Sequence, residues 1–151
     1  MLLAALLGGC AAHQVGLIVA DPLKSDPAEL RLPRGGDIKL ATPGPAGPLR
    51  YLNGCVVDVH GSYAFRTFTV RDWRVLDAGD GSGGYVGILR AYGARLVVDD
   101  RNSGATVVLD DLTAAPMRPY VGLPVLVIGH ATGEGYVVPV AYRVLAATSP
   151  P

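Results

Sequence analysis

The chain lacks any excess of charge: 13 Lys and Arg balance 13 Asp and Glu. A dedicated nucleic-acid binder carries a clear basic excess, so this balance argues against that class. The marks of common catalytic and cofactor sites are missing too. There is no Gly-x-Ser-x-Gly elbow for a serine nucleophile. The Gly-rich stretch from Asp77 to Gly84 is not followed by the Lys-Ser/Thr of a phosphate loop. Asp77-x-x-Asp80-Gly81-x-Gly83 starts like a calcium loop, but its third position is Gly79 and its twelfth Ile88, where an EF-hand needs side-chain oxygens. A solvated hairpin loop is expected there. His13, His60 and His130 are scattered and have no Cys pair beside them, so no metal set is expected. Asp58, His60 and Ser62 are close in sequence, but residues two apart on a strand point in parallel rather than in the series a triad requires. The expectation is therefore no enzyme and no cofactor. Large aromatics are scarce, with two Phe and one Trp against 20 Gly and 12 Pro. Short apolar runs broken by Gly and Pro point to strands and turns, not helices. At 151 residues, half of them hydrophobic, the chain has material for one domain with a real core.

Met1 to Leu7 is uncharged Leu and Ala. It is too short for a bilayer span, which needs about 20 apolar residues, and suits the apolar core of a signal peptide. Leu7-Gly8-Gly9-Cys10, an aliphatic residue and two small ones before Cys, resembles the lipobox of bacterial lipoproteins. The resemblance implies a signal peptide over 1–9, cleavage before Cys10, acylation of Cys10, and a membrane anchor. No Lys or Arg precedes the apolar run; the missing positive start would be encoded upstream. Ala11 and Ala12 follow the Cys in place of the Asp that retains lipoproteins in the inner membrane. The resemblance thus implies the periplasmic face of the outer membrane. It leaves Cys55 as the remaining thiol, unable to form an internal disulfide. Lying in an alternating apolar stretch, Cys55 reads as a small buried hydrophobe.

Residues 10–50 read as a lipidated Cys, a tether and a Pro-rich arm, interrupted by Pro22, Pro27, Pro33, Pro43, Pro45 and Pro48. Leu30-Arg31-Leu32 and Asp37 to Leu40 alternate briefly and could add an edge strand. From Tyr51 the period becomes two. Phe68 and Val70 share one parity, Trp73 and Val75 the other; a bulge near Arg71-Asp72 would bring all four to one side. Tyr85 to Ala91 and Arg95 to Asp99 read as strands, Asp100 to Gly104 as a hairpin turn, and Leu112 to Tyr120 as one helical turn at most. Pro124 to Gly129 is apolar on both faces. Val138, Val140, Tyr142 and Val144 share a parity, and Val125, Val127, Val138, Val140 and Val144 are expected to form much of the inner layer. Pro139 marks an edge or a bulge.

Gly122 to Gly129 followed by Tyr136 to Leu145 resembles the two closing strands of OB-fold domains. That resemblance implies a small antiparallel β-barrel over 51–151, built as three strands, a connector and two strands. A small β-sandwich is the alternative. The lipobox and β-rich ending together are similar to the Slp-type outer-membrane lipoproteins. Arg66, Arg71, Arg74 and Arg90 lie among Trp73, Tyr85 and Tyr92, a possible ligand face. On an OB barrel such residues suit oligonucleotide or glycan, but interleaved Asp residues favour an ordinary mixed-sign surface. The expectation is an all-β envelope lipoprotein acting as a non-catalytic binding or scaffolding module with an envelope protein partner.

Overall fold

A computed structural model describes residues 11–24, 26–41 and 47–147. Strands β1 (Ala11–Val19), β2 (Glu29–Arg31), β3 (Asp37–Ala41), β4 (Val56–Ala64) and β5 (Thr67–Asp77) close one barrel in the order β1-β2-β3-β5-β4. Strands β6 (Tyr85–Tyr92), β7 (Arg95–Asp100), β8 (Thr106–Leu109), β9 (Pro124–Ala131) and β10 (Tyr136–Val144) close another in the order β6-β7-β8-β10-β9. Within each, the first strand pairs antiparallel with the second and fourth, and the third runs parallel to the fifth. A short 3-10 segment, Gly47–Tyr51 or Ala115–Tyr120, connects the third strand to the fourth. The molecule is all-β, with two OB-like barrels in tandem.

The tether and Pro-rich arm expected over 10–50 is corrected by this topology. From Ala11 onward these residues supply three of the five staves of the first barrel. Pro22, Pro27 and Pro33 fall between strands, where a missing N–H does no harm. The barrel expected over 51–151 is likewise two bodies: β4 and β5 complete the first barrel, and the second begins at Tyr85.

The barrels repeat one pattern. Val15-Gly16-Leu17-Ile18 in β1 and Val86-Gly87-Ile88-Leu89 in β6 hold the same register, Gly16 opposite Val57 and Gly87 opposite Val125. Each glycine sits where the first strand is crowded by the second: a Cβ would stand 2.5 Å from the Arg31 carbonyl oxygen at Gly16 and 1.8 Å from that of Asp99 at Gly87. Only a residue without a side chain passes there. Trp73-Arg74-Val75-Leu76 and Tyr142-Arg143-Val144-Leu145 match in the closing strands.

The bulge read at Arg71 is present: His60 faces Asp72, Gly61 faces Val70, and Arg71 is left over. Phe68, Val70, Trp73 and Val75 are accordingly all buried. A bulge also lies at Val140, between Pro139 and Ala141. Here the inner row is corrected. Val137 is 3% exposed and packs in the second core, whereas Val140 is 73% exposed. Val125 and Val127 belong to that core as expected, and Val144 packs against it. Val138 is only half-buried. The bulge, at the place Pro139 marks, swaps parity midway along β10, and with Val on both sides the alternation does not show the swap.

Leu126, between Val125 and Val127, explains why β9 is apolar on both faces. It packs in the first barrel's cluster with Val86 and Leu145, so the barrels share buried surface. Arg143 reinforces the seam by donating to the carbonyls of Tyr51 (3.1 Å) and Asn53 (2.9 Å). Cys55 is fully buried beside them, and burial pushes its thiol pKa up against the opposing charge of Arg143. Among the described residues, no helix is long and apolar enough to cross a membrane.

Candidate functional site

The pairing of β1 with β4 places His13 directly opposite His60. The two rings lie 4.8 Å apart between centroids. Asp58, two residues before His60, shares its strand face and is 2% exposed. Its Oδ1 lies 2.6 Å from His13 Nε2 and 3.2 Å from His60 Nε2. Its Oδ2 accepts from Arg74 Nε at 3.0 Å, with Arg74 Nη2 also at 3.0 Å. Arg74 comes from β5, which faces Asp58 across the ladder. Three strands thus deliver four side chains to one spot on the wall of the first barrel.

The geometry at the two oxygens differs. Oδ2 is held by a guanidinium. Oδ1 is buried and makes no hydrogen bond, although two imidazole nitrogens converge on it. The contact distances are short, yet neither ring aims an N–H along the line to the oxygen. Both imidazoles are half-exposed, at 56% and 52% for His13 and His60.

This corrects one expectation. His13 and His60 are not scattered, because β1 and β4 are neighbours in the barrel. Asp58 and His60, two apart on one strand, approach each other without a hydrogen bond. His130 lies on β9 of the other barrel and is exposed. The group His13, Asp58 and His60, whose ligand atoms lie within 4.8 Å of one another, is a set that could hold a metal ion, where none was expected.

A cleft of about 530 Å³ runs from His60 past Asp72, Trp73 and Arg74 to Arg101 and Asn102. Arg101 reaches over from the turn after β7. Its Nη2 lies 2.7 Å from an Asp72 carboxylate oxygen, and its guanidinium stacks 3.9 Å from the Trp73 ring centroid. Trp73 is 2% exposed beneath it.

The seven residues of the possible ligand face are divided between the barrels. Arg66 lies in the β4–β5 turn, Arg71 at the bulge, and Arg74 on Asp58. Trp73 is in the first core, and Tyr85 packs against the second. Arg90 is paired with Asp99, and Tyr92 is exposed at the end of β6. Of these, Trp73 and Arg74 alone line the cleft. The Asp77 to Gly84 loop joins the barrels: Asp77 accepts the amides of Gly79 and Gly81, and Asp80 accepts that of Ser82. Cys10 lies outside the described residues. No protein-family model matches the chain, and no curated protein matches it significantly.

Proposed function

We propose that the protein is a lipid-anchored, non-catalytic binding or scaffolding module of the bacterial cell envelope. Acylated Cys10 holds it at the periplasmic face of the outer membrane, and its partner is an envelope protein. The observation that carries this reading is adjacency. Leu7-Gly8-Gly9-Cys10 runs straight into Ala11, the first residue of β1. His13 is three residues from Cys10 in the chain, so the cluster lies close in sequence to the anchor.

The hairpin tip agrees with that placement. Ala11 pairs with Ser62, so the β4–β5 turn stands at the same end of the barrel as Ala11, the residue that follows Cys10 in the chain. Phe65 in that turn is 105% exposed and holds φ 56°, the one positive value at a non-glycine residue among those described. A bulky residue in that region costs roughly 1–2 kcal/mol. An aromatic ring followed by Arg66 suits the interface beside an acyl anchor.

The surface charge favours protein contact over oligonucleotide. Arg31, Arg74, Arg90 and Arg101 each meet a carboxylate, on Asp37, Asp58, Asp99 and Asp72. Trp73 is buried in the first core, and Tyr85 is half-buried against the second, so neither ring stands free as a stacking platform. Intact mass of the membrane fraction tests the anchor: wild type should start at Cys10 with added lipid mass, and Cys10→Ser should remain an unlipidated precursor. A wild-type protein retaining Met1 and carrying no lipid would overturn the reading. Crosslinking in whole envelope, followed by pull-down, should then return a protein partner.

A further inference from the structure

We infer that His13, Asp58 and His60 form a binding site for a zinc-class divalent cation, with Asp58 ligating through Oδ1 and the two histidines through Nε2. The inference rests on side-chain geometry and does not depend on the envelope reading.

Asp58 carries the first observation. A carboxylate 2% exposed is costly to bury unless its oxygens are engaged. Oδ2 is engaged by Arg74. Oδ1 is not hydrogen-bonded, yet two imidazole nitrogens stand 2.6 and 3.2 Å away with their N–H directions off the line. Side chains hydrogen-bonding one another point at each other. Side chains ligating one ion point at a common centre between them, so their nitrogen and oxygen atoms lie close but misaligned. Ligands about 2.0–2.1 Å from a tetrahedral zinc stand roughly 3.3 Å apart. The separation to His60, 3.2 Å, is close to that value; the one to His13, 2.6 Å, is shorter, and the half-exposed imidazole has room to open it. Arg74 on Oδ2 would fix the carboxylate as a one-oxygen ligand, the usual task of an outer partner. The open side, toward solvent, leaves further positions to water.

The second observation is internal to the molecule. In the second barrel, register aligns Leu126 with Asp58, Ile128 with His60 and Gly84 with His13. The same barrel closes there with apolar residues and a glycine. The polar set is therefore not a requirement of the architecture. Two imidazoles and one carboxylate favour zinc and its late first-row neighbours over Ca²⁺ or Mg²⁺, which take oxygen ligands.

The test uses the full chain in detergent, with Cys10→Ser so that the Cys10 sulfur cannot compete for metal. Zn²⁺ is titrated by calorimetry, with Ca²⁺ as the control, and the imidazole resonances are followed by NMR. One Zn²⁺ per chain should bind, shifting the signals of His13 and His60 but not His130. His13→Gln and His60→Gln, both at half-exposed positions that leave the fold intact by circular dichroism, should each weaken binding ~10-fold or more. His130→Gln should not change it. No Zn²⁺ binding at millimolar ion overturns the inference. So does binding that survives both His variants, or that falls equally with His130→Gln.

Discussion

At Asp58 a charged residue occupies a position that the second barrel fills with Leu126. Replacing a buried ion pair with a well-packed apolar residue is often neutral or stabilising when the former partner can reach water. Arg74 is 59% exposed and can do so. Asp58→Leu should therefore keep the wild-type thermal midpoint within a few degrees while abolishing any Zn²⁺-dependent shift in His13 and His60. A protein that no longer folds would assign the cluster a structural role instead. Phe65 presents the opposite case, an exposed residue under backbone strain. Phe65→Gly should raise stability by up to about 1 kcal/mol in denaturant titration, since glycine takes a positive φ without a Cβ clash. A lower midpoint would show that the ring has an intramolecular role. Cys55, fully buried and with its thiol pKa raised by burial, should resist alkylation in native Cys10→Ser protein and react once denaturant is added.

Among the strands, β5 and β10 show how far a period-two pattern can be read. In β5 the apolar residues change parity visibly, from Phe68 and Val70 to Trp73 and Val75, and Arg71 occupies the slip. The bulge was legible because a charged residue marked it. In β10 the slip falls on Val140, flanked by Pro139 and Ala141 with further valines on either side. Pro139 marks the bulge, but the valines on either side do not distinguish the inner from the outer row, so the face is decided by strand pairing. The consequence is measurable. Val137→Asp buries a carboxylate in the second core and should cost about 3 kcal/mol or more. Val140→Asp, on an outward-turned bulge, should cost well under 1 kcal/mol. Equal losses would contradict the register. Gly61 is equally position-bound: a Cβ there would stand 1.9 Å from the Thr69 carbonyl oxygen. Gly61→Ala should thus lower the midpoint clearly, while Gly133→Ala, with nothing within 4 Å, should not.

At the scale of the whole molecule, the barrels share a seam in which Val86, Leu126 and Leu145 pack with the first core. They should unfold as one cooperative unit. Trp73, the single Trp, lies at that seam under Arg101, so its fluorescence and far-ultraviolet circular dichroism should report coincident transitions. Separate transitions would mean that the seam contributes little. Surface carboxylates set the acid limit. The pKa values of Asp37 and Asp99 are lowered by hydrogen bonds from Arg31 and Arg90, and those of Asp80 and Asp110 by the backbone amides of Ser82 and Thr113. Each therefore binds its proton more readily unfolded than folded. Their stabilisation is present above the ordinary carboxylate range near pH 4 and is lost as pH falls through the depressed folded values. The denaturation midpoint should stay flat from about pH 7 to 5 and fall below ~4. A decline starting well above pH 5 would contradict this assignment to the carboxylates.

What the sequence determined by itself was local: strands rather than helices, the turn at Asp100 to Gly104, the bulge at Arg71, the burial of Cys55, and an OB-like close at Gly122 to Leu145. Each follows from neighbours a few residues apart, through alternation, Gly and Pro placement, or parity. Even the duplication had a trace in Val15-Gly16-Leu17-Ile18 and Val86-Gly87-Ile88-Leu89. It was hidden because two of the strands of 11–41, β2 and β3, alternate too briefly to stand out among prolines. Tertiary structure alone decided that these strands close a barrel of their own, and that Leu126 turns outward into a neighbouring core. It also decided that His13 faces His60 across a strand boundary. Pairing partners are chosen by barrel closure, which joins segments far apart in the chain, and no local period encodes which strand will lie beside which.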